Sequence, residues 1–204
     1  MVIIVNIERL SKSVLFDKIV VISLLDFRNV IYVRCLSRMN NDKECELRKR
    51  RCCFTGHRPW KLHCNENTVK KKLKSAIEQA IRDGYVTFII GMCYGIDLWA
   101  GEIVIEEKKK NTDLHLIAAI PHPDFEKSWE EKEQQLYYKV LSEADIAKTI
   151  SEHYYRSCYQ KRNTWMVDRS SRVIAAYNGE SGGTKNTILY AEKHGIEVIN
   201  ILDK

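Results

Sequence analysis

The chain has 204 residues, 45% of them hydrophobic and 29% charged, with three prolines. That length and balance suit one globular domain with a sizeable core and a short appendage. No apolar run approaches the roughly 20 residues that span a bilayer, and Glu8 and Arg9 interrupt the apolar start with no small-residue cleavage site behind it, so neither a membrane protein nor a secretory signal is expected.

The formal charge of +6 is unevenly placed: residues 1–51 hold 11 Lys and Arg against 6 Asp and Glu, leaving 22 against 21 for 52–204. The electrostatic footprint of a nucleic-acid binder is therefore weak in the main part of the chain. The seven cysteines are odd in number and contain no Cys-x-x-Cys pair. That spacing predicts no metal site and no redox dithiol, and a cytoplasmic chain with reduced thiols.

Residues 1–50 read as a poorly defined N-terminal extension. β-rich stretches at 2–5, 19–25 and 30–33 lack turn chemistry between them, and the polar tract 40–51, ending in Arg48-Lys49-Arg50-Arg51, reads as a linker or disordered lead-in. Met39 makes a natural beginning for the domain. A regular pattern then defines a domain over 51–204. Cys52, Cys53 and Phe54 form a buried strand that empties into Thr55-Gly56-His57-Arg58-Pro59. Over 65–83, Val69, Leu73, Ala76, Ile77, Ala80 and Ile81 recur at helical spacing, with Gly84 as the stop. A strand at 86–90 runs into Gly91-Met92-Cys93-Tyr94-Gly95-Ile96-Asp97 and a helix to about 109.

A third strand at 114–120 closes on Pro121-His122-Pro123, and a charged helix follows at 128–141. The sequence then predicts a short strand at 146–150, a helix in the second half of 154–168, and a strand at 172–177. The loop Asn178-Gly179-Glu180-Ser181-Gly182-Gly183-Thr184 leads into a helix at 184–194 and a last strand at 197–202. Strands and helices alternate, and most strands are continuous apolar runs. That is the signature of a doubly wound α/β fold with a mostly parallel sheet and helices on both faces.

In such a sheet the loops leaving the carboxyl ends of the strands share one edge, where ligands bind. Three of them carry glycine: Thr55-Gly56-His57-Arg58, Gly91 to Asp97, and Ser181-Gly182-Gly183-Thr184. The last two open helices, whose N-terminal N–H groups attract anions. Arg58 adds a planar fork of donors, and Thr55 and Thr184 add hydroxyls. Neither Gly-x-Gly-x-x-Gly nor a P-loop is present, which disfavours a dinucleotide oxidoreductase or a P-loop NTPase. The expected ligand is an anion of nucleotide size, held by Thr55, Gly56, His57, Arg58, Gly91, Tyr94, Gly95, Asp97, Arg162, Asn163, Gly182, Gly183 and Thr184.

His57 reads equally as an acid/base, a phosphate donor or a loop histidine. Asp97 reads as a ribose ligand, a base or a helix-end charge. Arg162 and Asn163 sit beside the apolar Trp165, Met166 and Val167, so Arg162 belongs to a crevice or a buried ion pair. Trp99 reads as core, and His122, Pro123, Phe125 and Trp129 either wall the pocket or form a rigid turn.

These same residues carry a resemblance. Cys53-Phe54-Thr55-Gly56-His57-Arg58-Pro59, Arg162-Asn163-x-x-Met166-Val167-Asp168 and Gly182-Gly183-Thr184-x-x-Thr187 resemble the YpsA-type branch of the SLOG superfamily, which includes DprA and the LOG phosphoribohydrolases. Gly91-x-x-x-Gly95-Ile96-Asp97 is similar to the Gly-Ile-Asp loop of DprA. The resemblance covers roughly 52–204. It implies a Rossmann-like fold and the sensing or processing of a nucleotide-derived ligand. The LOG motif has a Pro before its glycines and a catalytic Glu; here Ser181 and Thr187 occupy those places, so that hydrolase chemistry does not carry over.

The reading is a cytoplasmic protein that binds or senses a nucleotide or nucleotide-derived small molecule without a cofactor. A nucleotide-processing hydrolase and a DprA-like single-stranded DNA binder are the alternatives. Whether the chain acts as a homo-oligomer is left open by the sequence.

Overall fold

The computed structural model describes residues 42–202. Six strands form one wholly parallel sheet: β1 (Arg51–Gly56), β2 (Thr87–Ile90), β3 (His115–Ile120), β4 (Ile146–Thr149), β5 (Arg172–Ala176) and β6 (Glu197–Asn200). Between them run α1 (Glu66–Arg82), α2 (Ile96–Lys108), α3 (Glu131–Glu143), α4 (Cys158–Asp168) and α5 (Gly183–Lys193), with a 3₁₀ turn over Pro59–Lys61. The expected doubly wound α/β architecture is what the chain adopts.

The continuous apolar strands have a direct cause. Alternate side chains of each inner strand enter two separate cores, one on each face of the sheet. Cys52, Phe54, Phe88, Ile90, Leu116, Ala118 and Ile174 pack with α1, α2 and α3. Cys53, Ile89, Ile117, Ala119 and Val173 pack with Met166 and Val167 of α4 and Ala191 of α5. Helix α1 buries Val69, Leu73, Ile77 and Ala80 as a single stripe, each larger side chain contributing about 1.5–3 kcal/mol of burial. The Asn65 side chain accepts from the Asn67 N–H at its N-terminus at 2.8 Å, and Gly84 follows its end with φ of 94°, as its stop position requires.

Sheet order, β4-β3-β2-β1-β5-β6, is the feature that positions the site. The first four strands step outward in one direction. The chain then crosses back to lay β5 on the opposite side of β1, in register from Cys52↔Arg172 to Gly56↔Ala176. Loops leaving β1 and β5 therefore diverge to opposite faces and leave a crevice between them.

One expectation changes. The tract read as a linker or disordered lead-in is helical over 42–49. It is tied to the turn between α4 and β5 and to β1: Arg48 Nε donates to the Ser170 carbonyl at 3.0 Å, Ser171 Oγ donates to the Lys49 carbonyl at 2.9 Å, and Arg51 pairs with Glu44. Charged sequence that looked solvated is thus held by partners far along the chain. Strand β4 forms where expected, but all four of its residues are exposed, as suits an edge strand. The β-rich stretches at 2–5, 19–25 and 30–33, and Met39, lie outside the described residues. Among the described residues no helix is long and apolar enough to cross a membrane.

Candidate functional site

A cavity of about 260 Å³ opens at the switch point, lined by the ends of β1 and by the loops before α2 and α5. Of the residues predicted for the site, Thr55, Gly56, His57, Arg58, Tyr94, Asp97, Arg162, Asn163, Gly182, Gly183 and Thr184 line it. Gly91 and Gly95 do not, and their place in the structure is to let other groups approach. A Cβ on Gly91 would run into the Arg162 guanidinium and lie 2.8 Å from Asp97 Oδ2; one on Gly95 would lie 2.9 Å from Pro59 Cδ.

The floor is a buried cluster. Arg162, 4% exposed, reaches from α4 to the loop between β2 and α2. Its Nε donates to Asn163 Oδ1 at 2.9 Å, Nη2 donates to Cys93 Sγ at 3.4 Å, and Nη1 lies 3.7 Å from Asp97 Oδ2. Asp97 Oδ2 also accepts the Cys93 N–H at 3.1 Å. Burial raises the Asp97 pKa, against the opposing pull of Arg162 and of the Cys93 and Gly91 N–H groups. For Arg162, burial acts to lower the pKa, but Cys93 and Asp97 outweigh it and the net direction is upward. Both open forms of the sequence reading for Arg162, crevice residue and buried pair, are met together.

The walls come from the flanking loops. The His57 N–H donates to the Ala176 carbonyl at 3.1 Å, continuing the β1–β5 ladder one residue past the strand, and its ring stacks 5.5 Å from Tyr177. Burial lowers the His57 pKa; Glu180 opposes this and Lys61 adds to it. Arg58 Nη1 donates to the Tyr94 carbonyl at 3.2 Å, which spends one donor of its fork. On the far side no side chain caps α5, whose N-terminus begins at Gly182 and Gly183. Asn163 Nδ2 donates to Thr187 Oγ1 at 2.9 Å, and that hydroxyl donates to the Gly183 carbonyl at 2.8 Å, so the Arg162 cluster and the α5 terminus are one connected network. His63 with Glu180, and Asn178 with the Lys61 carbonyl, tie the two flanking loops together.

Among the described residues three buried side-chain nitrogens have no hydrogen-bond partner: His57 Nε2, His122 Nε2 and Arg162 Nη1. Two of the three belong to residues lining this one cavity. Such atoms are costly unless something else satisfies them. A second cavity of about 450 Å³ lies between Leu62, Val69, Lys72 and Tyr177. Its amides Asn178 and Asn200 are already bonded to the chain, so the smaller cavity is the better candidate.

Cys93, Lys61 and Tyr159 also line the cavity and were absent from the sequence list. Tyr159 had a signal: with Arg162 and Asn163 it stands at i, i+3, i+4, one face of a helix. The contact of Cys93 with Arg162 spans 69 positions and had none. His122, Phe125 and Trp129 are not in the cavity wall; they form an aromatic cluster behind Tyr159. Trp99 is core, 2% exposed. No group of three metal-ligating side chains occurs among the described residues.

Comparisons with known proteins agree with this architecture. UPF0398 proteins of Bacillus thuringiensis (strain Al Hakam) and Bacillus cereus (strain AH187) are each 29% identical over 154 residues, covering 72% of this chain and 84% of theirs. DNA processing protein A from Streptococcus pneumoniae has a similar fold, with a TM-score of 0.55 at 18% identity, over 77% of this chain and 53% of that one. The same protein from Helicobacter pylori, solved for its single-stranded DNA binding mode, gives a TM-score of 0.53 at 14% identity, over 76% of this chain and 66% of that one. The chain thus spans little more than half of the first of these structures and just under two thirds of the second. Residues 52–198, from β1 into β6, match the YspA SLOG family, and the chain belongs to it.

Proposed function

We propose that this protein binds a nucleotide or nucleotide-derived anion in the crevice between β1 and β5. The observation that carries the reading is the pair of buried, unpartnered nitrogens, Arg162 Nη1 and His57 Nε2, in two residues that line a single cavity. The uncapped α5 terminus, Arg58 and Lys61 supply further positive potential on the same walls. Asp97, its Oδ2 engaged by Cys93 and facing Arg162, holds the guanidinium in place, which favours binding over acid–base turnover.

Thermal unfolding of the full chain with AMP, ADP and ADP-ribose tests this. A ligand at 100 times its Kd stabilises by about 2.7 kcal/mol, a rise of roughly 5–10 °C for a domain of this size. Arg58→Ala is expected to weaken binding about tenfold or more, as the loss of a charge-assisted hydrogen bond. No shift with any of the three compounds overturns the proposal.

A second reading, single-stranded DNA binding, draws on the fold shared with the Helicobacter protein and on Trp60, 71% exposed beside Lys61, since an exposed aromatic next to a cation is a stacking platform for bases. The near-neutral charge of 52–204 speaks against it. Oligothymidylate retention that falls with salt would favour DNA; retention that is absent would leave the nucleotide reading alone.

A further inference from the structure

The backbone N–H of Cys93 holds Asp97, but its thiol has no part in the binding scheme above. It is half-buried, lines the cavity, and its sulphur accepts from Arg162 Nη2 at 3.4 Å. A guanidinium N–H against a cysteine sulphur is the electropositive, partly exposed setting in which cysteines react. The adjacent nitrogen of the same guanidinium, Nη1, is buried and has no hydrogen-bond acceptor. The other cysteines among the described residues differ: Cys45 and Cys64 are exposed, while Cys52, Cys53 and Cys158 are buried. Burial pushes Cys53 up to about 12 and Cys52 well above its ordinary value, which makes both inert.

We propose that Cys93 is a peroxide-modifiable thiol whose sulfenic oxygen takes the Arg162 Nη1–H, so that oxidation closes the anion site. The step balances. The Cys93 thiolate attacks one oxygen of hydrogen peroxide, an S–O bond forms as the O–O bond breaks, and sulphur loses two electrons. The departing hydroxide takes a proton and leaves as water, and a sulfenic acid remains. The new oxygen extends from a sulphur already bonded to one arm of the guanidinium fork. The other arm of the same fork, Nη1, has no hydrogen-bond partner, Asp97 Oδ2 lying 3.7 Å away. The oxidised side chain then occupies the donor that an anionic ligand would use. A dithiol reverses the change, reducing the sulfenic acid to the thiol with release of water and formation of the cyclic disulfide.

This regulation rests on the reading of the cavity as an anion site, and the experiment separates the two. The full-length protein is treated with hydrogen peroxide, trapped with dimedone and mapped by mass spectrometry, with the exposed Cys45 and Cys64 as internal references. Labelling at Cys93 at least tenfold faster than at Cys64 is expected; labelling no faster than at Cys64 overturns the proposal. ADP affinity is then measured before peroxide, after it, and after dithiothreitol. Wild type is expected to lose affinity about tenfold and regain it with the dithiol, whereas Cys93→Ala, whatever its own affinity, shows no peroxide-dependent change. An equal loss in both proteins overturns the proposal. If reduced wild type fails to bind ADP, the nucleotide reading falls and the closing of the site with it, whereas selective labelling would still establish Cys93 as the modified thiol.

Discussion

The two glycine loops that open α2 and α5 look alike in sequence and serve opposite ends in the structure. At Gly91 and Gly95 the missing side chains are filled by the protein itself: the Arg162 guanidinium and Asp97 carboxylate crowd one, Pro59 the other. At Gly182 and Gly183 an added Cβ would meet nothing within 4 Å, and the space lies in front of an uncapped helix N-terminus. The first loop uses glycine to seat an internal counter-ion; the second uses it to keep a helix end open to the cavity. An internal charge cluster on one side and open donors on the other are the two halves of the proposed anion site.

That contrast can be broken most severely at Asp97. Asp97→Ala leaves the Arg162 charge buried without its carboxylate, and a loss of about 3–5 kcal/mol in urea-unfolding stability is expected. Gly91→Ala forces its methyl group into the same guanidinium; overpacking predicts a loss of about 1–3 kcal/mol, with ADP affinity falling alongside because Arg162 is displaced. A Gly91→Ala protein as stable as wild type would show the crowding to be unimportant.

Gly183→Ala sharpens the comparison because the sign reverses. Ala at the first position of α5 is expected to raise stability by about 0.4–1 kcal/mol. The same methyl group intrudes on the cavity and weakens ADP binding about tenfold, the equivalent of one hydrogen bond of about 1.4 kcal/mol. Stability and affinity thus move in opposite directions at Gly183 and together at Gly91.

The smallest effect concerns His57. Its folded pKa is lowered, so the unfolded state binds the proton more readily. Its contribution is present above the ordinary histidine value of about 6.5 and is lost as pH falls through the folded pKa. Wild-type Tm is expected to drop more than that of His57→Gln between pH 7 and pH 5. Equal drops would show that His57 takes no part in the pH dependence.

Much of the fold was legible. Helix α1 was marked at its end by Gly84 and along its length by the Val69–Leu73–Ile77 stripe, because stop signals and periodicity are local. The cavity residues were legible in part for the same reason: Gly56, Arg58, Gly182 and Thr184 belong to loops leaving the ends of strands, which a parallel sheet gathers on one edge. The helix at 42–49 was misread because its polar composition looks solvated until Ser170 and Ser171, more than 120 positions away, are brought to it.

By itself, then, the sequence determined the alternation of strands and helices, the two-sided burial of the sheet and which loops carry glycine, since each follows from side-chain spacing within a few turns of chain. Only the tertiary structure decided the strand order that opens a crevice between β1 and β5. It alone brought Arg162 to Cys93 and Asp97, and it alone divided glycines crowded by protein from glycines that face open space. Those outcomes depend on which distant surfaces meet, and a contact across 69 positions leaves no local trace.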